Sequence, residues 1–134
     1  MDLGLAPSLD DMEGNPKMAR RVVLILWLGA FLVGTVTHIM ELLAHGWMPY
    51  AFAPVGLNLF WTLLSALDSL VILLLLLRRN AGVILGIGIM TADVAANSYT
   101  VYGLGFTELM MPLQAQTLFF GFVLGSFHMI WNRS

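Results

Sequence analysis

Residues 57–102 read LNLFWTLLSALDSLVILLLLLRRNAGVILGIGIMTADVAANSYTVY. Two apolar runs, 57–77 and 81–102, flank the basic break Arg78-Arg79-Asn80. Each is close to the ~20 residues that carry an α-helix across the hydrocarbon core of a bilayer. A break of three residues is long enough only to join two antiparallel helices. Outward from this pair, 22–44 and 113–131 are apolar runs of similar length. None of the four alternates strictly, so a transmembrane β-barrel is not indicated. Helices then satisfy the backbone in lipid. The expected fold is an all-α integral membrane protein, an antiparallel four-helix transmembrane bundle with a polar interior cavity.

Composition agrees. Of 134 residues, 59% are hydrophobic and 10% are charged, against about 25% charged in a typical soluble domain. Half of the fourteen charged side chains fall in the first 21 residues. The seven that remain are too few to solvate the surface of a soluble domain. No basic patch marks a nucleic-acid partner. With no cysteine, disulfides, thiolate catalysis and thiolate-held metals are excluded.

Residues 1–18 are polar and acidic and are expected to form a tail. They lack the basic start and small-residue cleavage site of a signal peptide. Residues 19–134 are expected to form one membrane domain. All six Lys and Arg (Lys17, Arg20, Arg21, Arg78, Arg79 and Arg133) fall on one side of a four-span topology. The loops 45–56 and 103–112 have none. By the positive-inside rule both termini are expected in the cytoplasm. Trp27, Trp47, Trp61, Tyr102 and Trp131 lie near span ends or interfaces and are expected to serve as anchors or as packing residues.

The spans also hold ionisable residues: Glu41, Asp68, Asp93, His38 and His128. Such groups cost about 2.5–3.5 kcal/mol each on insertion scales, so they are functional candidates by default. Helical spacing gathers them into stripes. These are Gly34, His38, Glu41 and His45; Asn58, Thr62, Ser65 and Asp68; Met90, Asp93, Asn97 and Thr100; and Gln114, Thr117, Gly121, Gly125 and His128. All four stripes are expected to face inward. At about 1.5 Å of rise per residue, His38 and Glu41 lie roughly 25 and 30 Å from Arg21, and Asp93 roughly 21 Å from Arg79. The polar cluster therefore sits in the middle and non-cytoplasmic part of the bundle. His128, about 8 Å from Arg133, reads as a snorkelling or packing residue.

The cluster holds three acids and no Lys or Arg. In a low dielectric at least one acid is expected to be neutral, and His38 to pair with Glu41 one turn away. Such a site suits a cation, a proton, or a reaction that develops positive charge on an apolar molecule. No metal and no cofactor are expected: only one reversed His-x-x-Glu pair is present, where di-iron bundles repeat a Glu-x-x-His pair. No Gly-x-Ser-x-Gly elbow supports serine catalysis.

The stretch His38-Ile-Met-Glu41-Leu-Leu-Ala-His45-Gly46-Trp47, the run Ala92-Asp93-Val94 with Asn97 and Tyr99, and Phe119-Phe120-Gly121-Phe122-Val123 with Ser126 and Trp131 resemble the EXPERA group. That family includes sterol delta-8,delta-7 isomerase (emopamil-binding protein) and the sigma-two receptor. The resemblance implies a membrane-embedded acid/base pair acting on a lipophilic, isoprenoid or sterol-like molecule through a carbocation-like state. His38 and Glu41 would donate and accept the proton, and Asp93, assisted by Asn97, would be the second acid or would stabilise cationic charge. Asp68 would tune the site, and Asn58, Thr62, Tyr99 and Gln116 would contact substrate. Two other functions are weighed beside this one: a ligand-binding or accessory subunit of a membrane complex, and a proton-coupled exporter of lipophilic cations. The expected partners are the lipid bilayer and a lipophilic small molecule; a homodimer or a larger membrane complex is left open.

Overall fold

The computed structural model describes residues 14–133. Among the described residues it is helical, with no strand. Helix α1 is Pro16–His45, α2 Val55–Leu77, α3 Arg79–Ser98 and α4 Met110–Ile130. A π-helical turn, Tyr99–Gly103, extends α3, and a 3-10 turn, Thr107–Leu109, leads into α4. With those extensions, four helices are long and apolar enough to cross a membrane.

The first helix begins earlier than the apolar run suggests. Asn15 caps it, its Oδ1 accepting from the Lys17 and Met18 amides at 3.1 and 3.3 Å, with Pro16 at the first helical position. Residues 16–18 of the expected tail therefore belong to α1; residues 1–13 lie outside the described residues. Gly46, at φ 80°, ends the helix in a conformation that suits glycine.

Between α2 and α3 only Arg78 leaves helical geometry. The helices then run so close that a Cβ on Gly82 would lie 2.5 Å from the Leu75 backbone nitrogen. The double arginine makes the turn, and Gly82 permits the contact.

Helix α1 packs against α2, α2 against α3, α3 against α4, and α4 back against α1. The two ends of the bundle are built differently. At the end that carries the arginines, the Asn80 amide exchanges two bonds with the Asn132 backbone, 2.7 and 2.9 Å long. Arg20 also donates to the Asn132 side chain. Above them lies a dry core of Trp27, Val71, Leu75, Val83, Val123 and Ile130, each fully buried. The Trp27 indole donates to Ser126 Oγ at 3.1 Å, joining α1 to α4.

The other end is closed by loops. Asn58, at the start of α2, accepts from the Tyr50 amide and donates to the Met48 carbonyl, both at 3.0 Å. This clasp sits at Met48, which has φ 59°, an uncommon conformation for a residue with a long side chain. Phe52 meets Phe106 of the opposite loop with ring centroids 5.2 Å apart.

Candidate functional site: an acidic cavity

The half of the bundle away from the arginines encloses a cavity of about 660 Å³. Every helix contributes to its wall. Helix α1 supplies Gly34, Thr37, His38 and Glu41, and α2 supplies Trp61 and Asp68. Helix α3 supplies Met90, Asp93 and Asn97, and α4 supplies Pro112, Ala115, Gln116 and Phe119. Tyr50 and Phe52 of the 46–54 loop complete it. Most of this surface is apolar, with a few convergent polar groups, as in small-molecule sites generally.

Spacing explains which side chains converge. On α1, Gly34, His38 and Glu41 share a face by steps of four and three. A Cβ at Gly34 would displace the Asp68 carboxylate from α2, so the glycine lets that carboxylate sit against α1. On α3, Asp93 and Asn97 are one turn apart, and the Asn97 amide donates to Asp93 Oδ1 at 3.1 Å. The same amide nitrogen donates to Gln116 Oε1 on α4 at 2.5 Å. Asp93 is thereby held in place by a bridge between two helices. Asp68 and Asp93 are 6% and 7% exposed.

His38 and Glu41 do not form the pair expected from their spacing. His38 Nδ1 is 2.7 Å from the Tyr50 hydroxyl, while Glu41 lies 3.0 Å from His45, one turn on along the same helix. The Tyr50 bond fixes the imidazole plane and leaves Nε2 as the ring's other proton-exchanging position. Burial pushes the Tyr50 phenol up to about 12, and the Glu41 and Asp93 carboxylates add to that shift. At neutral pH Tyr50 is therefore a neutral hydroxyl, able to donate to the histidine or accept from it.

Six of the nine site residues expected from sequence line the cavity: His38, Glu41, Asp68, Asp93, Asn97 and Gln116. Three are placed elsewhere. Asn58 is consumed by the loop clasp. Thr62 is buried and donates to the Asn58 carbonyl one turn back, so its hydroxyl serves its own helix. Tyr99, on the π-helical turn, is 57% exposed.

The expected inward stripe on α4 is overturned. Gln114, Thr117, Gly121, Gly125 and His128 are exposed, and the packed face carries Leu113, Val123, Ser126 and Ile130. Two of the residues expected as anchors or packing are core residues, because Trp27 and Trp61 are 0% and 4% exposed. Trp47 and Tyr102 are exposed at the far end.

Sequence reasoning missed Trp61 as a site residue. Its ring meets Tyr50 at 5.3 Å, and its buried indole N–H lies in the cavity wall beside the Asp93 carboxylate. The available signal was its spacing, seven residues or two helical turns before Asp68. Among the described residues, no group of three or more His, Asp or Glu is close enough to hold a metal ion.

Chemically, the cavity offers two shielded carboxyl groups, a third acid beside a histidine, and an imidazole coupled to a neutral phenol. Among the described residues no Lys or Arg lines it. No known protein family, curated protein or solved structure matches the chain.

Proposed function

We propose that this protein is an antiparallel four-helix membrane bundle whose cavity is the active site of an acid/base isomerase or cyclase acting on a lipophilic, isoprenoid- or sterol-like substrate. Both termini are cytoplasmic in this reading, on the arginine-bearing side, so the cavity lies in the outer half of the membrane. The observation that carries it is the burial of Asp68 and Asp93 around one cavity with His38, with no cationic side chain in its lining among the described residues. Acids that must be desolvated in lipid are retained where they act. Anionic groups in a low-dielectric wall stabilise positive charge developing on an apolar molecule.

The reaction requires no co-reactant. A proton is added to one carbon of an alkene, the cation rests against the Asp68 and Asp93 carboxyl groups and the Trp61 ring, and a proton leaves a second carbon. His38, gated by Tyr50, and Glu41, at the cavity edge beside His45, are the proton-transfer groups. The EXPERA resemblance supports the same chemistry. The exporter alternative needs a route to both faces, and the dry core around Trp27, Leu75 and Val123 occupies the inner half of that route. An accessory subunit would co-purify with a stoichiometric partner after mild detergent extraction.

The test is proton exchange. The protein in phosphatidylcholine nanodiscs is incubated in D2O with the extracted neutral lipids of its host cell, and the lipids are analysed by mass spectrometry. Deuterium is expected to enter one alkene class, and Asp93→Asn is expected to lose that incorporation while remaining inserted. Equal incorporation by wild type and by both Asp93→Asn and Glu41→Gln overturns the assignment.

A further inference from the structure

The cavity has an apolar neighbour. A shallow groove lies along the outer side of the α1–α4 seam, lined by Ile25, Gly29, Ala30, Val33, Phe119 and Phe122 among others, with Ile25 and Val33 largely exposed. Ala30, Val33 and Phe119 line both cavity and groove. The two spaces therefore meet at one wall, built of two small-to-medium aliphatic residues and one aromatic ring. Phe119 sits edge-on to Phe31, centroids 5.8 Å apart, and stacks against Phe122 at 6.2 Å.

Cavity and groove divide by polarity. Glu41, Asp68, Asp93, Asn97 and Gln116 belong to the first, and among the described residues no polar side chain lines the second. From Ile25 to Val33 the groove follows about 12 Å of helix. Gly29 widens it, since a Cβ there would meet nothing within 4 Å. At its inner end the seam is closed by the Trp27–Ser126 bond. The groove therefore begins level with that bond, at Ile25, and runs toward the acids.

We infer that cavity and groove are one binding site for a single-chain amphipath, with the reacting or polar head among Asp68, Asp93 and Trp61 and one flexible hydrocarbon tail along the α1–α4 seam. This deepens the enzymatic reading and rests on it for the identity of the head site. A tail in the groove reaches the lipid without crossing a helix, so the substrate is exchanged laterally with the membrane. A rigid fused-ring molecule fills the cavity but leaves the groove to bulk lipid. The shared wall and the split in polarity favour the flexible chain.

Photo-crosslinking tests the assignment without requiring turnover. The probe is a long-chain primary alkylamine with a diazirine at the tail end, added to the protein in phosphatidylcholine nanodiscs. A phosphatidylcholine bearing the same diazirine in one acyl chain reports bulk lipid contact. The alkylamine is expected to label residues 25–33 and 119–122 about tenfold more than the exposed face around Gly88. Gly29→Phe, which fills the groove, is expected to remove that excess, and Gly88→Phe to leave it. Gly29→Leu serves the same purpose if the larger ring prevents insertion. Asp68→Asn combined with Asp93→Asn is expected to weaken seam labelling by releasing the head. Equal labelling of the seam and the Gly88 face, or the same pattern from both probes, overturns the proposal. Labelling within the cavity that leaves the seam untouched also overturns it. Loss of deuterium exchange with seam labelling intact would overturn the reaction and not the binding site.

Discussion

The two halves of this bundle use the same four helices for opposite purposes. Toward the arginines, Trp27, Val71, Leu75, Val83, Val123 and Ile130 are fully buried between the helices. Away from them, Asp68, Asp93, Asn97 and Gln116 border an open volume. In the packed half the Trp27 N–H joins a serine of a neighbouring helix; in the hollow half the Trp61 N–H lies in the cavity wall beside Asp93. Dense packing gives dispersion contacts that stabilise helix association in lipid, where no hydrophobic force acts between helices. A cavity forfeits those contacts, and buried acids add a desolvation cost. The packed half can hold the helices at fixed spacing while the hollow half remains open, as expected when stability and function are separated in one small fold.

That contrast can be broken by mutation. The largest effect is expected for Trp27→Ala, which removes the largest fully buried side chain and its bond to Ser126. Phe or Trp to Ala changes in packed cores cost about 3–5 kcal/mol. Thermal inactivation in detergent should therefore fall sharply, with deuterium exchange lost only as the fold is lost. If Trp27→Ala leaves the melting temperature unchanged, the packed half does not carry the stability.

Gly34→Ala probes the hollow half. The new methyl would displace the Asp68 carboxylate, a movable side chain, so overpacking of about 1–3 kcal/mol is an upper bound on the stability cost. Exchange activity is expected to drop at least tenfold while the melting temperature moves only slightly. Gly56→Ala, at an open position, controls for helix propensity and should change neither. Comparable losses of activity in both variants would show that position 34 is not special.

The smallest effect belongs to Tyr50. A folded-state phenol raised to about 12 favours the folded protein below the ordinary tyrosine value of 10, and that contribution fades as pH rises through about 12. Absorbance near 295 nm should reveal a late phenolate step that Tyr50→Phe removes. The same substitution should shift the pH profile of exchange by freeing His38, with little loss of stability. A profile identical to wild type would detach Tyr50 from the histidine's chemistry.

Much of the site was legible in residue spacing. On α1 and α3 the polar residues are few and separated by three or four positions, so only one face can hold them. His38, Glu41, Asp93 and Asn97 followed from that periodicity. On α4 the reasoning failed. Gln114, Thr117, Gly121 and Gly125 form a regular stripe, but uncharged and small residues are cheap on either side of a membrane helix. The rotation of α4 was set instead by Leu113, Val123, Ser126 and Ile130 packing against its neighbours. For Trp27 and Trp61 the sequence left anchoring and packing open for a related reason. An indole near a span end serves equally as an anchor or as core, and only a partner such as Ser126 or Tyr50 distinguishes the two.

Four helices long and apolar enough to cross a membrane, and three acids within them with no Lys or Arg in the span interiors, are properties of the linear chain. The bilayer imposes them through backbone satisfaction, span length and the cost of charge, none of which depends on neighbouring helices. The coupling of His38 to Tyr50, the approach of Asp68 to Gly34 and the seam that joins cavity to groove are tertiary. They depend on helix rotation and separation at the scale of a single side chain, where an apolar sequence in an apolar solvent holds little information until the helices meet.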